Sequence, residues 1–333
     1  MANSVLSEWS GSELRYVSPA QVVKSFGYKT VAERTPEAYE YRKRSVERVA
    51  LADGEVAPKR TNYPSPEVAR SEVKTKALDL GANIVGVTHV DPQHVYWGED
   101  VSHQYAIMIA VAMDFDEVVQ SPNMASGAET LRIYDVTGQI ATELAHFIRD
   151  RGHSARAHTM KSEQINMLPH AYAAGLGELG KHGSLINRDL GCSFRVSAVT
   201  TNLPLAVDAP RPEGIDDICS KCRMCVNYCP GDAISHDKQQ VRGVLKWVID
   251  TGACAPYWGS YYACGICIAV CPFNAKAFDR RFKDRYVETI KSIDLVSWRT
   301  ELKNGLQKPW THVQQPDSFT EGWRVRVQDK ASA

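Results

Sequence analysis

The sequence predicts a layered domain of alternating helices and strands, α/β or α+β, joined to a cysteine-rich, metal-holding domain. Three observations carry this reading. Helical and strand periodicities alternate from about residue 66 to residue 200. Tyr105 to Met113 is a nearly continuous apolar run, the pattern of a strand covered on both faces. Eight of the nine cysteines fall between residues 219 and 271. Such clustering in a long chain without an export signal points to metal ligation rather than disulfides.

Residues 1–63 are polar and punctuated by Pro19, Pro36 and Pro58, and read as an N-terminal extension with short helices. A core domain is expected over 64–210. Val68, Val73, Ala77 and Leu80 have helical spacing, with Gly81 as the C-cap. Residues 82–87 read as a short strand, and the Tyr105–Met113 run as a second. A long helix is expected over 129–151, because Ile133, Val136, Ile140, Leu144, Phe147 and Ile148 recur every three or four residues. Gly152 stops it. Strand-like pieces follow at 154–158, 184–186 and 194–200, with the glycine-rich Gly175-Leu176-Gly177-Glu178-Leu179-Gly180 between the first two. Pro210, Pro212 and Gly214 mark a linker. The cysteine domain occupies 211–280 and a polar tail 281–333.

The 333 residues carry 39 Lys+Arg and 39 Asp+Glu. That balance gives no electrostatic case for a nucleic-acid or membrane-surface partner. No apolar run approaches the roughly 20 residues that span a bilayer. The N-terminus lacks a basic stretch followed by an apolar one, so a cytoplasmic protein is expected.

Cys219-x2-Cys222-x2-Cys225-x3-Cys229-Pro230 is the strongest signal. Three thiolates within seven residues reach three corners of one [4Fe–4S] cube, while the fourth opens a helix and serves the other cube. The partner motif is Cys264-x2-Cys267-x3-Cys271-Pro272, with Cys254 ten residues upstream. Cluster one then takes Cys219, Cys222, Cys225 and Cys271. Cluster two takes Cys254, Cys264, Cys267 and Cys229. Structural zinc is the competing reading, but zinc favours paired Cys-x2-Cys knuckles. Cys192 is left over and reads as a small buried hydrophobe. Trp258, Tyr261 and Tyr262 lie between Cys254 and Cys264 and are expected to shield cluster two. Two cubes move single electrons, so the other domain should consume them.

The flanking sequence resembles the catalytic subunit of the cobalamin-dependent reductive dehalogenases. The likeness rests on Gly175–Gly180, Arg195-x3-Val199-x-Thr201-x-Leu203-Pro204-Leu205 and the two cluster motifs. Upstream, Leu80-Gly81-Ala82-x4-Gly86-Val87, Asp91-Pro92-x3-Tyr96, Tyr134 at the head of its helix and Phe147-Ile148-Arg149-x2-Gly152-x2-Ala155 also match. The resemblance implies an α+β, nitroreductase-like core that binds a corrinoid, fused to a ferredoxin-like domain with two [4Fe–4S] clusters.

It implies contacts to the cofactor from Gly175, Leu176, Gly177, Glu178, Leu179 and Gly180, and no protein ligand on the lower cobalt face. His158, His170 and His182 nearby therefore read as ordinary histidines. Removing halide and adding hydrogen takes two electrons and one proton. The matching proton donor is Tyr134, with Arg195 as the cation beside it; a nearby cation favours the phenolate a donating phenol leaves behind. The family's usual third residue is Asn or Lys. Its Asn position holds Ser162, and Lys161 next to it can supply the charge.

The expected partners are a small organohalide and an external low-potential donor, a ferredoxin, flavodoxin or reductase; a homodimer is a fold-level expectation. Two alternatives stay open. One keeps the cofactors for C–O or C–S cleavage or for reduction of the epoxyqueuosine type. The other is a non-catalytic iron–sulfur electron carrier.

Overall fold

The computed structural model describes residues 36–277 apart from 97, 242, 243 and 261. The tail over 281–333 and most of the N-terminal extension lie outside the described residues.

A four-stranded, wholly antiparallel sheet forms the centre, in the order β1 (Ile84–His89), β2 (Tyr105–Ala112), β6 (Phe194–Thr201), β3 (Ala155–His158). The register sets Val87 opposite Ile107, Ile107 opposite Val199, and Ala157 opposite Val199. β2 explains its own apolar run. Ile107, Ile109 and Val111 face one core, while Ala106, Met108 and Ala110 face another, as strand alternation requires. The first core is closed by α2 (Pro66–Asp79), α3 (Phe115–Val118) and α4 (Met124–Arg149), the second by α5 (Met167–Ala173) and the segment around Leu176 and Leu185.

The long helix starts five residues before its expected position. Asn123 caps it, its side chain accepting from Ser126 N–H. Tyr134 is therefore not at the head of the helix but in its interior. At the other end Gly152 has φ +76°, and a Cβ there would meet the Arg60 backbone at 2.6 Å. That crowding, with the left-handed φ, makes it the helix stop the sequence predicts. The buried Asp135 beside Tyr134 pairs with Arg44, at 2.7 Å, and with Arg48. These pairs anchor α1 (Pro36–Glu47) and the 3-10 turn Arg48–Leu51 to α4.

A short hairpin, β4 (Glu178–Leu179) and β5 (Leu185–Ile186), projects from the core towards the cysteine domain. That domain contains α6 (Ile215–Lys221), α7 (Met224–Asn227), the β7–β8 hairpin (Gln239–Val241, Val244–Lys246), α8 (Thr251–Ser260), α9 (Ile266–Ala269) and α10 (Pro272–Ala277). Fully buried Asn274 fastens it to the core: Oδ1 accepts from Cys192 N–H at 2.9 Å and the amide donates to Ile268 O. No helix among the described residues is long and apolar enough to cross a membrane.

His158, fully buried on β3, gives the fold a pH dependence. Its Nδ1 accepts from Gln164 N–H and its Nε2 donates to Thr200 Oγ1 at 2.8 Å. Burial, with a smaller push from Arg156, drives its pKa down to about 3 from the usual 6.5. The unfolded chain takes up a proton below 6.5 and the folded chain does not. Stability present above pH 6.5 is therefore lost as pH falls towards 3, at about 1.4 kcal/mol per pH unit. We expect the urea midpoint to fall between pH 7 and pH 5, and His158→Gln, which keeps a donor for Thr200, to flatten that slope.

Candidate active site and cluster domain

The eight cysteines expected as ligands lie in two groups, and all are free thiols. Cys219, Cys222, Cys225 and Cys271 line one cavity, together with Lys181, His182, Met224, Pro272 and Phe273. Cys229, Cys254 and Cys267 pack in a second cluster with Ala233, Ile234 and Ile249, which Cys225 borders from the first group, and Cys254 and Cys264 both stand close enough to feel the charge of Cys229. The fourth cysteine of each motif has thus crossed to the other group. Burial pushes Cys219 and Cys254 up to about 11 and Cys225 and Cys264 up to about 12, while neighbouring sulfurs add to the rise. Thiols crowded in this way ionise readily only when a cation shares them.

The chemistry of this donor set fits two cubane clusters, and a buried charge supports the fit. Lys181, at 2% exposure, donates from Nζ to Cys222 O at 3.0 Å and has no carboxylate within ion-pair distance among the described residues. A buried ammonium is costly without a compensating negative charge. A cube with four thiolates carries one.

Two expectations fail here. Cys229-Pro230 does not open a helix. Gly231 lies against Ala253 O, where a Cβ would come within 2.5 Å, and Asp232 takes a φ of +50°, so the chain turns. Cys271-Pro272 does open one, α10. The aromatic shield is also placed differently. Tyr262 packs with Leu131 and Met160 on the core side, Trp258 is exposed, and Tyr261 is outside the described residues. Tyr257 instead stands near that group of sulfurs, raised to about 12 by burial and then by Cys229 and Cys264.

Cys192 is fully buried, as expected, but not inert. Its sulfur, Cys271 and a ring nitrogen of His182 all lie within 4.8 Å of one another. Cys192 is raised by burial, whereas its hydrogen bond, with help from His182, holds Cys271 well below the usual thiol range.

In the core, α4 and β6 bring Tyr134 and Arg195 together. The Arg195 guanidinium lies over the Tyr134 ring, 5.6 Å from its centroid, within cation–π range. Its Nη1 donates to Phe194 O at 3.2 Å and its Nη2 to Thr130 Oγ1 at 3.4 Å. Thr130 lies one turn before Tyr134 on the same helix face, a spacing visible in the sequence. Arg195 Nε and Ser193 Oγ are buried without a hydrogen-bond partner in the structure. Ser193, just before β6, and Arg195 share the strand face that Ser197 bonds to α4, so two unsatisfied polar atoms lie between this strand and the helix.

Lys161 is not brought into that pair. Its side chain is exposed, its φ is +85°, and its N–H donates to Glu163. Buried Ser162 is committed to the same turn through Thr159. That turn and the strained segment Tyr262–Cys264 meet through Met160, Tyr262 and Ala263 on Leu131, one turn before Tyr134.

The glycine-rich run is used by the protein itself. A Cβ on Gly177 would lie 2.3 Å from Ile186 O, and one on Gly175 2.6 Å from Ala209 O. Leu176 is core, and Glu178 accepts from Glu213 N–H. Leu179 pairs with Leu185 in the hairpin, and Gly180 with Ser184 at its tip. His158 and His170 have partners on both ring nitrogens, whereas His182 Nε2 is buried without one.

Residues 218–286 match the 4Fe-4S dicluster domain family. The chain is 31% identical over 181 residues to a tetrachloroethene reductive dehalogenase of Dehalobacter restrictus, covering 50% of this chain and 32% of that protein. It is 33% identical over 122 residues to an epoxyqueuosine reductase of Leadbetterella byssophila, covering 32% of this chain and 36% of that one. A solved catabolic reductive dehalogenase in complex with 3-bromo-4-hydroxybenzoic acid superposes with a TM-score of 0.69 at 25% identity, over 80% of this chain and 40% of its own. A reductive dehalogenase structure bearing on B12-dependent dehalogenation gives 0.69 at 26%, over 80% and 41%. The matched stretch is about a third of the length of the curated relatives. Carrying a 4Fe-4S dicluster domain and sharing sequence and fold with these oxidoreductases, the chain is a relative of the B12-dependent reductive dehalogenases and, over a shorter stretch, of the epoxyqueuosine reductases.

Proposed function

We propose that the protein is a corrinoid-dependent reductase that removes halide from a small organohalide, R–X + 2e⁻ + H⁺ → R–H + X⁻. The observation that carries it is Tyr134 held under Arg195, with Arg195 Nε left without a partner, beside a domain with two groups of four thiols. When bound, the corrinoid supplies a low-valent cobalt that breaks the carbon–halogen bond, and the clusters supply its electrons.

The chain's own residues do the rest. Tyr134 Oη holds the proton given to carbon. Arg195 stabilises the negative charge that grows on that oxygen as the proton leaves, a stationary charge that needs no reorganisation. Thr130 and Phe194 O fix the guanidinium. The Tyr262 segment, packed on Leu131, limits water beside the tyrosine. In this reading residues 64–210 are a nitroreductase-like core and 211–280 form the ferredoxin-like unit, and the corrinoid contacts of Gly175–Gly180 would come from the backbone atoms that their packing on Ile186 and Ala209 leaves free. Lys161 serves only if its turn moves. An external low-potential donor of the ferredoxin or flavodoxin kind loads the clusters.

Protein prepared without oxygen and reconstituted with cobalamin, iron and sulfide should release bromide or chloride from a panel of haloaromatic and haloalkene substrates under a strong reductant. Bound, reducible cobalamin with no halide release across that panel would falsify the dehalogenase reading.

A further inference from the structure

The tip of the β4–β5 hairpin carries two residues that the reaction above does not use. Lys181 is the bulkiest fully buried side chain of the described residues, and His182 is 7% exposed. Both line the cavity of Cys219, Cys222, Cys225 and Cys271. Lys181 Nζ is bonded to Cys222 O and lies 4.5 Å from the Trp247 ring centroid. Trp247 is itself fixed by its indole N–H on Asp216. His182 accepts from Ser184 N–H through Nδ1, at 3.1 Å, which leaves its ring proton on Nε2, the buried nitrogen without a partner. A ring nitrogen lies within 4.8 Å of Cys271 Sγ.

The tip is built to stay there. Gly183, at φ +78°, lies against Ile249, where a Cβ would come within 2.5 Å of its Cγ1. The other sulfur group has the opposite surroundings. Asp250 stands four residues before Cys254, its carboxylate accepting from Ala253 N–H at 3.0 Å. Reducing a cube adds one negative charge and no proton. A fixed ammonium and an N–H donor favour that added charge, while a carboxylate opposes it.

We propose that Lys181 and His182 are positioning residues that make the Cys219–Cys222–Cys225–Cys271 cluster the more easily reduced of the two. An electron entering the domain would then settle on the cluster that packs against the core, where Cys219 and Cys271 share a hydrophobic cluster with Ile186 and Val111. The inference rests on the two-cluster reading above.

The test is a potentiometric titration of the reconstituted full chain with dithionite, followed by the EPR signals of the reduced clusters. Lys181→Met should lower the higher midpoint at least tenfold in equilibrium constant, about 59 mV for one electron, and leave the lower midpoint in place. Lys181→Arg should restore the wild-type value. His182→Phe should lower the same midpoint by about threefold, the scale of one hydrogen bond, and it carries the test alone if Lys181→Met fails to hold iron. Unmoved midpoints in variants with full iron content, or equal shifts of both, overturn the proposal. Wild-type protein without two clusters defeats the cluster reading instead, so the two failures are told apart.

Discussion

Tyr134→Phe is expected to lower halide release at least about a hundredfold at saturating substrate, the low end of what a positioned acid contributes. The substitution removes one oxygen and keeps the ring on which the Arg195 guanidinium lies at 5.6 Å. Packing, iron content and cobalamin content should therefore be unchanged, and the loss should fall on kcat rather than KM. Halide measured by ion chromatography under anaerobic turnover checks this. A Phe variant with wild-type turnover would show that water or another group delivers the proton. Arg195→Gln is the companion. It removes the charge and the bond to Thr130 together, so its effect should equal or exceed that of Tyr134→Phe. Combining the two should add little if they act as a unit.

Local demands were legible in the sequence. A strand buried on both faces must be apolar at every position, and Tyr105–Ala112 reads that way. A helix over a sheet must repeat its apolar residues, and Ile133, Ile140, Leu144 and Ile148 do so before closing the first core. Ligand spacing in the cysteine motifs is also local, and it brings Cys219, Cys222 and Cys225 to one cavity. Features set by distant contacts were not legible. The order β1-β2-β6-β3 depends on pairings up to a hundred residues apart. The helix start depends on Asn123, a cap outside the periodic stretch. A Cys-Pro step continues as a helix only where the next residues are free to do so, and contact with Ala253 O prevents that after Cys229.

The site divided along the same line. Tyr134 and Arg195 meet because a helix face and a strand are packed together, but resemblance rather than periodicity picked them out. Lys161 has the charge and adjoins Ser162, but neither property shows that a tight turn leaves it exposed. The glycines suggested close approach, and close approach is what they provide, though to Ile186 and Ala209 of the same chain. Nothing in a sequence marks a lysine as buried; for Lys181 only the cavity around Cys222 O does so.

The crossed ligand sets give the other large effect. Cys271→Ala, made together with Cys192→Ser, should halve the iron from about eight to about four atoms per chain. The Cys192 change matters because its sulfur lies beside Cys271 and could take over as ligand. The surviving cluster is then the one held by Cys229, Cys254, Cys264 and Cys267. Its EPR signal should match that left by Cys222→Ala, although Cys222 and Cys271 belong to different motifs. Cys229→Ala should match Cys254→Ala for the same reason. If each motif kept its own four sulfurs, Cys271→Ala would pair with Cys264→Ala instead. The cavity argues against that pairing, because Cys271 lines it with Cys219, Cys222 and Cys225, while Cys254 and Cys264 both lie near Cys229. Crossing also ties the clusters mechanically. On the proposed ligand sets each cluster would be held by both ends of the domain, so losing either would loosen the segment that ligates the other, and the variants should unfold at lower temperature than their halved iron content alone would suggest.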